Sequence, residues 1–460
     1  MPREKAPSED AMKHAVAIPL LLVLLAVQGW SQSDSSQSSN QTPYHPVMNG
    51  DSGSLAFSGE SERVNLLSGG VTLASSYDNN ALASATGDEI SNLGYMINPS
   101  LSIIEQRTQT LWTLNYNPGF LWNQQLPQRY MADHNLDFTF QYRITERLSA
   151  RVHDSFIDQS SSFNALNQNP LLPGGNVLNA PNQSILTPLT TQLTNVTNLD
   201  LVDRIGEGTN IGVSGNFNKL NFSDTSTSPV QLFDNEAWGG QAFYSHRLTE
   251  RHTVGVTYTF QDIATFGEIL EHSQTQSVLL FYTLNLKPGM TVSVFAGPDH
   301  TTTDAQFLYS LGPVSVPINL TGSMWLADEG ATFTWQGEQT SAQIKLIHHV
   351  TDGGGLTGAV QLYSAIAGLR RQISKAWTGD IDLNYGDNNP LSHYFGNAFS
   401  GFGGTIGLNR TLGEHFSVGM RFGRDRQRYE AYGLTNSSSF SANHNQAWIT
   451  VTYHFSRPLG

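Results

Sequence analysis

Cysteine is missing from all 460 residues, and charge is scarce: only 13% of the chain is Asp, Glu, Lys or Arg. Without cysteine there are neither disulfides nor thiol-ligated metals. A small disulfide-stapled secreted scaffold is therefore excluded, and stability has to come from sheet pairing or core burial. The low charge also argues against the Lys/Glu-rich surface of an ordinary cytoplasmic protein. Basic residues are the minority, 24 Lys and Arg against 38 Asp and Glu, for a net charge of −14. Nucleic acid is not an expected partner, because phosphate binding needs a basic stripe. The acidic excess reads either as a device for solubility or as a loop or lumen surface that favours cations.

Long apolar runs are nearly absent as well. A helical membrane protein needs about 20 consecutive apolar residues per span, and only the stretch Ala15 to Val27 approaches that. It follows Lys13 and His14 and runs into Gly29-Trp30-Ser31, which reads as a secretory signal peptide over 1–31, with Met12 as an alternative start. An uncleaved anchor is the other reading, and the missing cysteine excludes lipoprotein processing. Residues 32–64, opening Gln32-Ser-Asp-Ser-Ser-Gln-Ser-Ser-Asn40, are too polar to bury a core and are expected to form a disordered periplasmic tail. Residues 65–460 then form one large all-β unit.

What the chain does have is a period of two. Ile449, Val451, Tyr453 and Phe455 share one parity, and Trp448, Thr450, Thr452 and His454 take the other. The same two-faced pattern recurs in Leu114 to Trp122, Phe138 to Ile144, Val254 to Phe260, Ile381 to Tyr385 and Phe416 to Phe422. Tight turns such as Glu105 to Thr108, Thr145 to Arg147, Thr249 to His252, Lys287 to Gly289 and Leu412 to His415 alternate with longer loops. Those loops are expected at 123–133, 159–207, 266–274, 300–324, 387–398 and 429–443. Residues 208–227 read either as a short hairpin or as one wall of a loop. The pattern predicts a single transmembrane antiparallel β-barrel of about 16–18 strands, with short periplasmic turns and long extracellular loops, in the bacterial outer membrane. Loop 159–207 is long enough to fold inward and narrow the lumen, or else to stay solvated. The last strand is expected to close the seam with a first strand near 69–77.

Three further motifs, Ser76-Tyr-Asp-Asn-Asn80, Ile97-Asn-Pro-Ser-Leu-Ser-Ile103 and Leu114-Asn-Tyr-Asn-Pro-Gly-Phe120, lead into the hairpin Tyr142-Arg-Ile-Thr-Glu-Arg147. Over residues 70–158 this order resembles the β-barrel porin 2 family, outer-membrane proteins often associated with exopolysaccharide export. The resemblance implies the barrel fold, transport rather than catalysis, and polysaccharide or small solutes as cargo. Outer-membrane lipid and lipopolysaccharide would surround it, and the barrel assembly machinery would insert it. Barrels of this kind commonly end on a terminal Phe, whereas here Ser456-Arg-Pro-Leu-Gly460 follows Phe455.

No spacing points to an enzyme, a cofactor or a metal. His348 and His349 are adjacent on a strand, so they point to opposite faces and cannot readily share an ion. The glycine-rich Gly401 to Gly407 opens a strand instead of a helix, so it lacks the helix N-terminus that a phosphate loop needs. Glycine where a strand bends or side chains must be small explains it better. The candidate functional residues are the charges on polar parity: Asp137, Arg143, Arg151, Lys345, Asp380, Asp382 and Arg421. Such charges either bias ion flow through a lumen or pair across the wall and stiffen it. Arg424, Arg426 and Arg428 lie toward the outer end of their strand, where they meet either lipopolysaccharide or a solvated rim. The leading reading is a water-filled pore; the alternative is a plugged structural or export-accessory barrel that acts by partner binding.

Overall fold

The computed structural model describes residues 65–84, 88–159, 190–223, 232–267, 269–311, 314–391, 397–431 and 440–459, and the expected signal peptide and tail lie outside these. Nineteen strand segments, β1 (Leu66–Asp78) to β19 (Phe440–Pro458), pair in one antiparallel sheet. β3 (Thr110–Tyr116) and β4 (Gly119–Asn123) both pair with β2 (Asn92–Gln106) and β5 (Tyr130–Arg143), so they are two halves of one stave. They are parted at Asn117-Pro118, where proline has no N–H to give to the ladder. The result is an eighteen-stave closed barrel. β1 pairs on one side with β2 and on the other with β19, Leu73 standing opposite both Ile97 and Val451. Closure leaves no free sheet edge through the apolar belt, the condition for a strand structure to cross a bilayer.

Period two places the faces. On β19, Ile449 is 59% exposed and its neighbour Trp448 only 5%. The outer residues sort by height: Tyr142, Phe416, Tyr453 and Phe455 are exposed near the short-turn rim. Tyr77, Tyr95, Trp122, Trp238, Trp325, Tyr363, Tyr385 and Phe402 are exposed toward the other rim. Between the two rings lie aliphatic side chains such as Leu73, Ile97, Val213, Leu280, Ile381, Ile406 and Val451. An apolar band between two aromatic girdles is the outer surface of a transmembrane barrel. At the short-turn girdle Arg410 lies 5.3 Å from the Trp377 ring centroid and Lys287 5.8 Å from that of Trp335, cations over π-faces at an interface.

The short turns use side-chain caps. In both Thr-Glu-Arg turns the threonine hydroxyl accepts backbone N–H bonds from two and three residues on: Thr145 from Arg147 and Leu148, and Thr249 from Arg251 and His252. This local bonding sets the hairpin without glycine.

Several loop boundaries differ from the sequence reading. Residues 191–204 are strand β7 (Thr191–Arg204) and 209–223 are strand β8 (Thr209–Ser223), so the expected loop 159–207 shrinks to the segment after β6 (Leu148–Gln159). Most of what remains lies outside the described residues. The expected loop at 266–274 is a tight connection between β10 (His252–Phe266) and β11 (Ile269–Lys287). The expected loop at 300–324 is a long ladder of β12 (Met290–Leu311) with β13 (Val314–Gln336). Likewise the expected loops 387–398 and 429–443 are trimmed by β16 (Trp377–Pro390), β17 (Asn397–Leu412), β18 (Phe416–Ala431) and β19. The chain past Phe455 is not a dangling tail: Ser456, Arg457 and Pro458 continue β19 opposite Ser68, Leu67 and Leu66.

Candidate functional site

The lumen is crossed by a hairpin. β14 (Thr340–Asp352) pairs with β13 only as far as His348 opposite Glu329, although β13 itself continues to pair with β12 up to Val314. Beyond that point β14 stays paired with β15 (Ala359–Gln372), so the two leave the wall together. Their direction follows from which faces touch. Val350 and Ala359 share a face with His348 and Tyr363, and Tyr363 is exposed on the barrel exterior. Yet Val350 and Ala359 pack with Ala237, Ile263, Met324 and Leu326, which are on the inward parity of β9 (Asp234–Arg247), β10 and β13. An outer face can meet an inner face only if the tip has folded over into the lumen.

The connection 353–358, Gly-Gly-Gly-Leu-Thr-Gly, makes that fold. Gly354 and Gly355 have φ of 57° and 84°, the left-handed region open to glycine. A Cβ on Gly355 would lie 2.1 Å from the Phe222 ring, and one on Gly358 would meet the Glu271 carboxylate at 2.3 Å. The backbone thus approaches β8 and β11 more closely than any side chain permits. Hydrogen bonds hold it: Ala359 N–H donates to Glu271 Oε1 at 2.8 Å, and Phe233 N–H to the Gly355 carbonyl at 2.8 Å. Asn218 Nδ2 donates to Asp352 Oδ2 at 3.1 Å, and Gly354 N–H to Asp352 Oδ1 at 2.9 Å. Leu356, fully buried, then packs with Phe399 of β17, Tyr429 of β18 and Leu232 just before β9. β9 and β18 are nine staves apart in a barrel of eighteen, so this apolar contact joins opposite walls.

The charges singled out from sequence lie on the parity opposite the exposed apolar side chains, and most are held by partners across the wall. Asp137 Oδ2 bonds His153 Nε2 at 2.8 Å, and Arg151 Nε lies 3.2 Å from Asp200 Oδ2. Asp380 pairs with Arg421 across β17, where Gly407 leaves the space: a Cβ there would meet Asp380 Oδ1 at 2.5 Å. Gly403 does the same for Asn384 and Asp425, so the glycine-rich stretch makes room for lumen side chains. Thr405 Oγ1 donates to Asp382 at 3.4 Å, Lys345 is buried, and Arg143 is exposed at the short-turn rim. His348 stacks on Tyr363, while His349 is on the opposite face. Among the described residues no three His, Cys, Asp or Glu side chains cluster as a metal site.

Two further features shape the lumen. The first is the inward tip, whose one signal is the run of three glycines. The second is His444 on the lumen wall, fully buried, with Nε2 2.7 Å from Asp78 Oδ1 and Nδ1 3.6 Å from Asp425 Oδ2. The period-two pattern already places Asp78 and His444 on the polar face of β1 and β19, and only the seam register brings them together.

No family model matches the chain, and no curated protein matches it in sequence. Among solved structures, the ferric-catecholate import receptor Fiu of E. coli K12 aligns over 84% of this chain and 81% of its own, at 9% identity and a TM-score of 0.43. Pseudomonas aeruginosa OccK2 (OpdF) aligns over 85% and 98%, at 12% identity and a TM-score of 0.40. Acinetobacter baumannii OccAB3 aligns over 85% and 99%, at 10% identity and a TM-score of 0.38. These likenesses are remote, and the fold stands on the strand pairing itself.

Proposed function

We propose that this chain is a non-catalytic outer-membrane pore for small solutes, narrowed by the β14–β15 tip. The observation that carries the reading is that tip: a closed barrel with an apolar belt outside, a polar face inside and one ordered connection reaching from wall to wall. A polar, charged inner face wets a passage, and a glycine-built tip limits its width. Asp137, Arg143, Arg151, Lys345, Asp380, Asp382 and Arg421 are then the charges that bias ions in transit. Membership of the β-barrel porin 2 family and a link to exopolysaccharide export belong to the same proposal. Small solutes are preferred as cargo because a hydrated polysaccharide would have to displace the Leu356, Phe399 and Tyr429 contact. Insertion would fall to the barrel assembly machinery.

A second reading, a barrel plugged by the same tip and acting through a partner, is favoured by the apolar contact between opposite walls. Planar-bilayer recording of the refolded protein separates the two. A pore conducts as it stands, and deletion of residues 353–357 raises its conductance. A plugged barrel is silent until the deletion opens it. A protein silent in both forms would rule out both readings.

A further inference from the structure

The outer surface of β18 carries a feature the pore does not use. Arg424, Arg426 and Arg428 alternate with the inward Gly423, Asp425, Gln427 and Tyr429, and all three arginines are exposed on the outer face above Met420 and Phe422. Their height is set by register. Arg426 stands opposite Phe402 of β17, which belongs to the aromatic girdle on the long-loop side, with Arg424 one step below and Arg428 one step above. Three guanidiniums are thus stacked at the headgroup level of the outer leaflet, on a chain whose net charge is −14.

Their surroundings are built to leave them available. On the β19 side they face Asn445, Asn443 and Ser441, and on the β17 side Gly404, Phe402 and Ser400. Arg428 bonds Glu430 at 3.0 Å, and among the described residues neither Arg424 nor Arg426 has an acidic partner. Like charges at this spacing on one strand face repel unless an anion lies across them. Arginine's planar fork matches phosphate oxygens, amide side chains can donate to the same group, and the flanking Phe402 sits at the level of an acyl-chain boundary.

We infer that the outer face of β17–β19 binds the phosphorylated headgroup of an outer-leaflet lipid, lipopolysaccharide being the lipid of that chemistry expected around the barrel. The inference rests on the membrane placement in the proposed function, but not on whether the lumen conducts. The test uses the full chain refolded in detergent. Binding is measured with bisphosphorylated lipid A, dephosphorylated lipid A and inorganic phosphate. The expected result is binding of the bisphosphorylated lipid that weakens with salt. The R424Q/R426Q/R428Q variant should lose at least tenfold, while an R107Q control at the short-turn rim keeps it. The single variants R424Q and R426Q should each show a partial loss, which protects the test if the triple variant does not refold. Equal binding of the dephosphorylated lipid, full competition by equimolar inorganic phosphate, or unchanged binding by the folded arginine variants would each overturn the inference. Channel recordings on the same variants should match the parent, so failure here is distinguishable from failure of the pore reading.

Discussion

Two neighbouring hairpins leave the same rim of the barrel and go opposite ways. The β12–β13 ladder stays paired to its tip and rises from the wall, Leu311 opposite Val314. The β14–β15 hairpin stops following β13 at His348 and bends into the lumen. Chemistry at the tips accounts for the difference. The rising ladder keeps hydroxyls and carboxylates along it, such as Thr301, Thr303, Asp304 and Thr321, with Thr321 Oγ1 donating to Asp304 at 2.6 Å. Its outer face is polar and exposed at Asp304 and Thr321, and on its inner face the buried Thr301 and Thr303 hydroxyls have Thr275 and Ser273 as partners. The inward tip instead carries Val350, Leu356 and Ala359 around three glycines, so that it gains by burying apolar surface and can approach other backbones closely. A barrel rim therefore sorts its hairpins by what their tips need to bury.

The largest effect on this contrast is expected from Gly355→Val. The left-handed backbone alone costs a β-branched residue about 1–2 kcal/mol, and the new Cβ would collide with the Phe222 ring at 2.1 Å. The tip should leave its dock and single-channel conductance should rise severalfold. An unchanged conductance would place the tip outside the permeation path. A smaller effect is expected at Glu271 of β11. Glu271→Ala removes the acceptor for the Ala359 N–H, an unsatisfied buried donor costing about 1–3 kcal/mol, whereas Glu271→Gln keeps an acceptor oxygen. Recordings should show more frequent openings for Ala than for Gln. Equal behaviour of the two would mean that the carboxylate charge, not the hydrogen bond, holds the tip.

The same contrast explains what could be read from sequence. Strands inside the apolar belt announce themselves, because lipid on one side and water on the other force an alternation: Phe416 to Phe422 and Ile449 to Phe455 are legible on that ground. Above the belt polar side chains occupy both faces, so the apolar alternation fades although the inner hydroxyls Thr301 and Thr303 are buried. This is why the Thr301-Thr-Thr-Asp304 stretch reads as loop although it is strand, and why 209–223, rich in Asn and Gly, is ambiguous. The inward tip is not legible because Gly353-Gly-Gly355 looks like any turn. Its direction is decided by Glu271, 88 residues away, and by Phe222. The inward parity of Asp137, Arg151 and Asp380 follows from local alternation, but their partners His153, Asp200 and Arg421 depend on strand register and, for Asp380 and Arg421, on Gly407 in the strand between.

Charge on the wall should matter less than the tip. Arg421→Gln leaves the Asp380 and Asp382 carboxylates without their cation, so the reversal potential in a salt gradient should move toward cation preference. Asp380→Asn should move it the opposite way. Both shifts should shrink as ionic strength rises, because screening shortens the reach of each charge to about 10 Å at 0.1 M. A shift of the same sign for both variants would show that the pair acts by holding the wall's shape.

The smallest effect is expected from the rising ladder. Excising residues 306–319 and joining Ala305 to Leu320 through Asn-Gly, a two-residue turn suited to the twist of an antiparallel pair, removes the end of the ladder and keeps Ala305 opposite Glu271. It leaves Met324, Leu326 and Glu271, the surfaces that dock the inward tip. Conductance and opening frequency should therefore match the parent. If the shortened barrel conducts more, the ladder also shields the tip, and the two hairpins work as one cover despite pointing in opposite directions.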